Sequence, residues 1–411
     1  MSRLEDMKTK LMNYGQEHLL KFYDELSEQQ QNELLEQIDS IDFELITKLY
    51  EERNSIGNTH DVIEPISYID KLKLSSKEIE KYTAIGESAI KKGKLAFATL
   101  AGGQGTRLGH NGPKGTYMFG INPDKSLFEI MCDGLKLAKR KYNVYIPWYI
   151  MTSRENNEDT IAFFEENNYF GYPKEMVTFF KQEELPVLHE DGKIMLQSKD
   201  RMKLAADGHG GILGAMHKNN IVEQMEAKGI QWVFVGGIDN VLLKVADALF
   251  IGLAIDKGVK LAGKSIIKSN PQEKVGVFCK RNGKPSVVEY TEITDEMSCK
   301  TDSNGELLYG ESHILCNLFN IDALKQIGAE KLPYHSAFKK SSYIDSMGNT
   351  IIPTLPNSYK FETFIFDAFN KFDDMLIFRT LREEEFAPIK NKEGVDSPQT
   401  ARRLYKDYWN I

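Results

Sequence analysis

The chain has 411 residues, of which 41% are hydrophobic and 27% are charged, as in an ordinary globular protein. This length exceeds one ordinary hydrophobic core, so we expect two or three domains. The 60 acidic residues against 52 basic ones give a formal net charge of −8. That balance excludes a general nucleic-acid binder, although it still allows a local cationic pocket.

The N-terminal residues and the cysteine spacing indicate the cellular compartment. The first residues have no apolar core of a signal peptide, and no run of about eighteen apolar residues occurs, so we expect no membrane partner. Four cysteines are scattered without C-x-x-C spacing, which is typical of reduced packing residues: Cys132, Cys279, Cys299 and Cys316. We therefore expect a cytoplasmic protein.

Residues 1–94 are predicted to form a helical N-terminal domain. Apolar residues recur at helical spacing over 4–11 and again over 19–26. Ser27 with Gln30 is typical of the capping box of a third helix.

From residue 95 the pattern becomes strand, loop and helix in alternation, which predicts an α/β domain over 95–386. Such alternation favours a mostly parallel mixed sheet with helices on both faces. The predicted strands are Leu95–Leu100, Val144–Thr152, Val177–Lys181, Trp232–Gly236 and Lys260–Ile267, and the predicted helices include Ser126–Arg140 and Asn157–Asn167. Residues 275–320 are more β-rich, with hairpin-like turns at Asn282 and Asn304. Residues 387–411 remain as a short C-terminal segment.

The most informative stretch is LAGGQGTRLGHNGPKG at residues 100–115, directly after the first predicted strand. Its glycines remove side chains where a backbone must approach a ligand or take positive φ. Arg107 and Lys114 add two cations to a loop whose free N–H groups already favour anions. A strand followed by a glycine-rich basic loop is typical of a site for nucleotide phosphates, at the carboxyl edge of the sheet.

Spacing excludes two common phosphate loops. A P-loop requires Ser or Thr after its lysine, whereas Gly115 follows Lys114. The dinucleotide fingerprint fails because Leu108 stands at its third glycine position. A dinucleotide oxidoreductase is therefore a remote alternative.

The loop resembles the signature L-x-G-G-x-G-T-x-x-G-x-x-x-P-K of the UDP-sugar pyrophosphorylases, and the resemblance extends from about residue 15 to about residue 405. Gln104 and Thr106–Leu108 are similar to the UDP-N-acetylhexosamine branch. The resemblance implies a Rossmann-like nucleotidyltransferase fold and transfer of a uridylyl group from UTP to a hexose 1-phosphate. It also implies a divalent cofactor, Mg²⁺ or Mn²⁺.

The same resemblance implies the site residues. Those assigned to the nucleotide are Leu100, Ala101, Gly102, Gly103, Gly105, Thr106, Gln182 and Gly208, with Gln182 contacting uracil. The catalytic cations are Arg107, Lys114 and Lys390, and Asp239 is the metal ligand. Those assigned to the sugar are His209, Glu289, Tyr290 and Asn317, with Phe364 and Phe366 either beneath the sugar or in the core.

Two departures from the family motif leave the identity of the sugar substrate undecided. Where the family has P-D-G-N-G-G, this chain has Ala206 and His209, and the string G-H-G is similar to the UDP-glucose branch. N-acetylglucosamine 1-phosphate is the first expectation, and glucose 1-phosphate or a broad range of hexose phosphates is the alternative.

Two further expectations concern activity and assembly. A non-catalytic nucleotide-sugar binder is a remote alternative, because binding alone would not require Arg107, Lys114, Asp239 and Lys390 together. Members of the family that the chain resembles continue into a larger β-rich C-terminal domain, which commonly contributes to dimer contacts. We expect this protein to be a monomer or a weak homodimer.

Overall fold

The structure, a computed structural model, describes residues 3–54, 61–328 and 331–411. Two compact units emerge from the contacts within the chain. The smaller unit comprises Met1–Thr59, Glu183–Gly211 and Leu332–Phe364, and the larger comprises His60–Gln182, Ile212–Lys331 and Ile365–Ile411. Among the described helices, none has the length and apolar character needed to cross a membrane.

The described helices and strands alternate through most of the chain. The α-helices are α1 Arg3–Asn13, α2 Glu28–Asp39, α3 Phe43–Glu51, α4 Ser76–Lys91, α5 Leu127–Tyr142, α6 Asn157–Glu166, α7 Gly211–Lys218, α8 Ile221–Ala227, α9 Ala248–Asp256, α10 Asp295–Cys299, α11 Ile321–Gly328, α12 Arg382–Glu385 and α13 Pro398–Trp409. The strands are β1 Ile63–Pro65, β2 Ile69–Asp70, β3 Leu95–Leu100, β4 Trp148–Thr152, β5 Val177–Lys181, β6 Glu184–Pro186, β7 Leu188–His189, β8 Leu196–Ser198, β9 Arg201–Met202, β10 Leu204–Ala206, β11 Trp232–Gly237, β12 Leu261–Ile267, β13 Val277–Arg281, β14 Lys284–Val288, β15 Glu311–Asn320, β16 His335–Lys339, β17 Tyr343–Ile344, β18 Thr350–Ile351, β19 Ser358–Glu362 and β20 Leu376–Arg379.

The larger unit is built on one sheet with strand order β2-β20-β12-β15-β11-β3-β4-β5. Neighbours in this order run parallel except where β15 pairs antiparallel with β12 and β11. The central strands β4 and β11 are buried along their whole length, as expected when helices cover both faces of a sheet. The predicted α/β fold class is confirmed.

The register of this sheet sets where the functional loops begin. β3 and β11 pair in parallel with Leu100 opposite Gly237. The chain therefore leaves both strands at the same edge, and the loop at 100–115 and the segment after Gly237 start side by side.

Two predicted elements differ in detail. β4 begins at Trp148 rather than at residue 144, because Pro147 has no N–H to donate to a strand ladder. The stretch over 19–26 lies in two 3₁₀ turns, Glu17–Leu20 and Tyr23–Glu25, instead of a helix. The carboxamide of Gln16, before the first turn, bonds to the Gly192 carbonyl and the Ile194 N–H.

The smaller unit packs α1, α2 and α3 with the sheet β16-β19-β7 and three further strand pairs. Its core includes Leu11, Leu34, Leu188 and Phe361, all buried. The predicted capping box at Ser27 is present, since its hydroxyl accepts from the Gln30 N–H. This unit joins three chain segments, whereas the predicted domains were the contiguous ranges 1–94, 95–386 and 387–411.

Candidate active site

The glycine-rich loop of the larger unit folds back on itself directly after β3. The N–H of Lys114 donates to the Gly103 carbonyl at 3.0 Å, and the N–H of Gly105 donates to the Gly112 carbonyl at 2.9 Å. Buried Asn156 holds the start of the loop, because its Nδ2 donates to the carbonyls of Ala101 and Gly103. The backbone of this loop is therefore shaped before any ligand binds.

The predicted nucleotide residues of this loop differ in exposure. Leu100 and Gly102 are partly buried, while Ala101 and Gly105 are buried against the protein, and Gly103 and Thr106 face solvent. Thr106 begins a 3₁₀ turn that ends at Gly109, which takes the left-handed φ of +73°. A β-carbon at Gly109 would be strained there, so the glycine allows the turn to close.

Two of the three predicted cations lie on this loop. Arg107 is exposed on the 3₁₀ turn. Lys114 is mostly buried, and its Nζ lies 3.7 Å from Oδ2 of Asp239. The fold thus brings together the predicted phosphate-binding lysine and the predicted metal ligand, which are 125 residues apart along the chain.

Asp239 follows β11 and also anchors the third cation. Its carbonyl accepts a hydrogen bond from the Ile389 N–H at 2.9 Å, next to Lys390. The Lys390 Nζ lies 3.4 Å from Oδ2 of Asp396, and the side chain of Lys390 is 44% exposed. Lys390 is therefore held beside Asp239 by backbone pairing, with an acidic partner that competes with a phosphate.

The chemistry of Asp239 fits a hard divalent cation. No cluster of three or more histidine, cysteine or acidic side chains occurs among the described residues. Mg²⁺ is commonly held by one or two carboxylates, with phosphate oxygens and waters completing its octahedron. One partly exposed carboxylate beside Lys114, the predicted phosphate-binding lysine, is consistent with that mode of binding.

Gln182, the predicted uracil contact, lies against the same loop. It follows β5, and its N–H donates to the Thr152 carbonyl at 2.8 Å. A β-carbon at Gly102 would lie 3.0 Å from the Gln182 carboxamide. Gln182 is buried, and the glycine allows its carboxamide to pack closely on the backbone at the start of the loop.

The predicted sugar residues of the larger unit lie within the β-rich segment 275–320. Glu289 and Tyr290 come just after β14, and Tyr290 is 45% exposed. A β-carbon at Gly276 would lie 2.8 Å from Oε1 of Glu289, so this glycine makes room for the carboxylate. Asn317 is fully buried on β15, and its carboxamide contacts Nε2 of His313 at 3.2–3.3 Å.

The smaller unit carries Gly208 and His209 in a loop that is tied to the end of β19. The N–H of Gly210 donates to the Thr363 carbonyl, and the N–H of Thr363 donates to the Asp207 carbonyl. Gly208 has a φ of +88°, and a β-carbon there would overlap the backbone of Thr363. No other residue fits this position without moving the backbone.

The ring of His209 is held by aromatic stacking. It stacks on Phe364 at 5.3 Å between centroids with an interplanar angle of 26°. His335 also stacks on Phe364, at 4.5 Å and 24°. Phe366 belongs to the larger unit, where it packs edge-on against His313.

Asp207, next to Gly208, is a buried carboxylic acid. Its Oδ1 finds no hydrogen-bond partner in the part of the chain that the structure describes. Burial, with Glu183 and Glu184 nearby, raises the pKa of Asp207 to about 7.

Sequence reasoning missed four residues that shape these sites: Asn156, Gly276, His313 and His335. Asn156 carried the clearest signal, since a cluster of polar residues follows β4 directly. The other three lie in ordinary contexts, and only the tertiary contacts distinguish them.

Comparison with known proteins identifies the family of the chain. Residues 43–395 match the family described as UTP–glucose-1-phosphate uridylyltransferase. The chain is 39% identical to the UDP-N-acetylglucosamine pyrophosphorylase of Saccharomyces cerevisiae, over 98% of this chain and 89% of the relative. It is also 39% identical to UDP-N-acetylglucosamine diphosphorylase 2 of Arabidopsis thaliana, over 96% and 82%.

A solved structure is similar along almost the whole chain. The uridine diphosphate N-acetylglucosamine pyrophosphorylase of Trypanosoma brucei, solved with an inhibitor, superimposes with a TM-score of 0.83 and 31% identity. The match covers 98% of this chain and 84% of the other. The resemblance in the loop at 100–115 is thereby confirmed, and the chain belongs to the UTP–glucose-1-phosphate uridylyltransferase family.

Proposed function

We propose that the protein joins UTP and N-acetylglucosamine 1-phosphate to give UDP-N-acetylglucosamine and pyrophosphate. It is a uridylyltransferase by family, and several of its relatives are named for this activity. The observation that carries the proposal is the approach of Lys114 to Asp239 at the ends of neighbouring parallel strands. That pairing supports the proposal because a nucleoside triphosphate with its divalent ion needs both a cation and a hard oxygen ligand.

The reaction requires charge stabilisation and alignment rather than a covalent intermediate. A phosphate oxygen of the sugar phosphate attacks the α-phosphorus of UTP, and the bond to the β-phosphate oxygen breaks as pyrophosphate leaves. Arg107 has a planar fork suited to two oxygens of the departing phosphates. Lys114 and Lys390 supply point charges at the phosphates, and donors held in place before the reaction stabilise the developing charge.

Asp239 would hold Mg²⁺, or Mn²⁺ in its place. The ion supplies positive charge that neutralises phosphate oxygens when it is bound. The backbone bond from Ile389 to the Asp239 carbonyl keeps this residue in position while its carboxylate stays accessible.

Uridine selection falls to Gln182 and the backbone beside it. Uracil presents an acceptor and a donor, and a carboxamide matches both. Because Gln182 is buried against Gly102, a base with the wrong pattern would leave polar groups unpaired.

His209, Glu289, Tyr290 and Asn317 are the candidates for the sugar. Glucose 1-phosphate, or a broad range of hexose phosphates, remains the second candidate substrate because of His209. Its imidazole, stacked on Phe364, is bulkier than the asparagine of the family motif and leaves less room for an acetyl group.

A pyrophosphate-release assay tests the proposal directly. The enzyme is given UTP and Mg²⁺ with N-acetylglucosamine 1-phosphate, N-acetylgalactosamine 1-phosphate or glucose 1-phosphate. We expect the highest kcat/KM with N-acetylglucosamine 1-phosphate. Turnover of glucose 1-phosphate alone would establish the second candidate, and no product from any sugar would refute both.

We also propose a monomer or weak homodimer in the cytoplasm. In support, the four cysteines form no disulfide among the described residues. Light scattering after size exclusion, over a range of protein concentrations, tests the oligomeric state.

A further inference from the structure

A lysine is completely buried in the sheet of the larger unit. Lys264 lies on β12 where the ladder to β15 shifts register, between Gly263 and Ser265. On the facing strand, Leu315 takes a left-handed φ of +54°. Such bulges redirect a side chain and are common beside active sites.

The Lys264 ammonium lies between the carboxylates of buried Glu385 and partly buried Asp247. Its Nζ is 2.9 and 3.0 Å from the two oxygens of Glu385 and 2.7 Å from Oδ2 of Asp247. Lys244 also reaches Glu385, at 3.2 Å. Burial alone would lower the pKa of Lys264, but the carboxylates of Asp247 and Glu385 raise it above its usual value.

A buried ion pair of this kind is a poor way to gain stability. Removing charges from water is costly, and well-packed apolar side chains often serve as well or better. What such a pair does supply is a defined position, because each charge tolerates few other arrangements. The position that this ion pair fixes is that of the segment following Glu385.

Asn240 and Asp239 are hydrogen-bonded to Glu385 and to the residues that follow it. The Asn240 Nδ2 donates to the Glu385 carbonyl at 2.7 Å, and the Asn240 Oδ1 accepts from the Ala387 N–H at 3.0 Å. Two residues on, the Ile389 N–H donates to the Asp239 carbonyl at 2.9 Å. These bonds fasten the stretch that ends in Lys390 to the segment that carries Asp239.

We propose that Lys264 is a positioning residue. Its ion pair with Glu385 fixes residues 385–390 against Asp239 and Asn240. The inference rests on the proposed function for its catalytic consequence. The side chain of Lys264 contacts Asp247, Glu385 and the ring of Phe250, and it acts on the site through Glu385 and Asn240. Nothing in the sequence motif around residues 100–115 points to it.

Two variants test the proposal. Glu385→Gln weakens the interaction of residue 385 with Lys264, while the ion pair of Lys264 with Asp247 remains. The double variant Lys264→Met with Glu385→Leu removes both charges. In both we expect kcat to fall about 10–100-fold, the range for small misplacement of catalytic groups. The KM for UTP should change much less, because Arg107, Lys114 and Gln182 are untouched.

A second readout needs neither metal nor substrate. Amide hydrogen exchange should increase about tenfold or more at Ala387 and Ile389, whose N–H groups make the fastening bonds, in the protein without ligands. The matched control is Arg379→Met with Glu311→Gln, another buried ion pair, at 2.8 Å, in the same sheet. It should lower Tm while leaving kcat and exchange at 387 and 389 unchanged.

The outcomes separate the two proposals. Wild-type kcat and exchange in the double variant, or in Glu385→Gln should the double variant not fold, would overturn the role of Lys264. Equal loss of kcat in the control variant would do the same. If the wild-type enzyme releases no pyrophosphate with any sugar phosphate, the proposed function fails, and the exchange measurement still decides the positioning.

Discussion

The glycine-rich loops at 100–115 and 206–211 use glycine for different purposes. The loop at 100–115 is basic and exposes Arg107, and its glycines are predicted to let backbone and side chains approach an anion. The loop at 206–211 is tied to the backbone of Thr363, and its ring His209 stacks on Phe364. We therefore expect the first loop to act through its charge and the second through its shape.

The comparison predicts how each loop responds to mutation. Charge acting on a reaction at phosphorus should control kcat, because that charge is needed most in the transition state. Shape around a substituent should control the choice between substrates. We expect changes in the first loop and its neighbours to abolish turnover, and changes in the second to alter selectivity.

The largest effect should follow removal of the metal. Because Asp239 is proposed to hold the divalent ion, EDTA should abolish pyrophosphate release and added Mg²⁺ should restore it. Asp239→Asn should raise the Mg²⁺ concentration for half-maximal rate about tenfold or more, since a charged oxygen ligand is lost. Asp256→Asn, which only removes a surface pair with Lys81, serves as control. Equal metal dependence in both variants would exclude Asp239 from the site.

Loss of Arg107 should be nearly as severe. Arg107→Ala is expected to lower kcat by a factor of about 10² or more, the scale for one preorganised electrostatic contact. Steady-state kinetics on a variant with wild-type Tm measures this, beside Arg140→Ala on an exposed face of α5. Normal turnover in Arg107→Ala would show that the charge of this loop is not used in the reaction.

Base selection should weaken when Gln182 is shortened. An unpaired buried donor or acceptor costs about 1–3 kcal/mol, so Gln182→Ala should reduce the preference for UTP over CTP by about 5–150-fold. The ratio of kcat/KM values for the two nucleotides is the measurement, with exposed Gln231→Ala as control. An unchanged ratio would assign uracil recognition to other groups.

The second loop should change selectivity rather than rate. We expect His209→Asn to raise the preference for N-acetylglucosamine 1-phosphate over glucose 1-phosphate by about tenfold, because the smaller amide leaves space for the acetyl group. His217→Asn on α7, an exposed histidine, is the control. A fall in kcat with both sugars alike would mean that this loop, too, acts on the chemistry.

The remaining prediction concerns stability and pH rather than catalysis. Since burial raises the pKa of Asp207 to about 7 from 3.8, the folded protein holds a proton between those values that the unfolded chain releases. Wild-type stability should therefore fall as pH rises from 4 to 7, and Asp207→Asn should not share this loss. Tm measured at pH 5 and pH 8 should show a larger advantage for the variant at pH 8. A constant difference would mean that Asp207 titrates normally.

Sequence and structure agree best where local patterns dominate. The strands β3 and β5 and the capping box at Ser27 follow the predicted bounds, because apolar runs and capping side chains act over a few neighbouring residues. The family was likewise readable from a contiguous stretch, since Arg107, Lys114 and the loop glycines stand at fixed spacing. The structure also places Gln182 beside Gly102, while the role of Gln182 in binding uracil stays a prediction.

The chain by itself therefore determined the α/β class, the family and the candidate residues that lie in motifs. Only the tertiary structure decided which distant residues support them: the bonds of Asn156 to the loop, the stacking of His335 on Phe364, and the grip of Lys264 on Glu385. The last pair is separated by 121 residues. No local pattern encodes such contacts, because a buried lysine or asparagine is recognisable only from the charges and carbonyls that folding places around it.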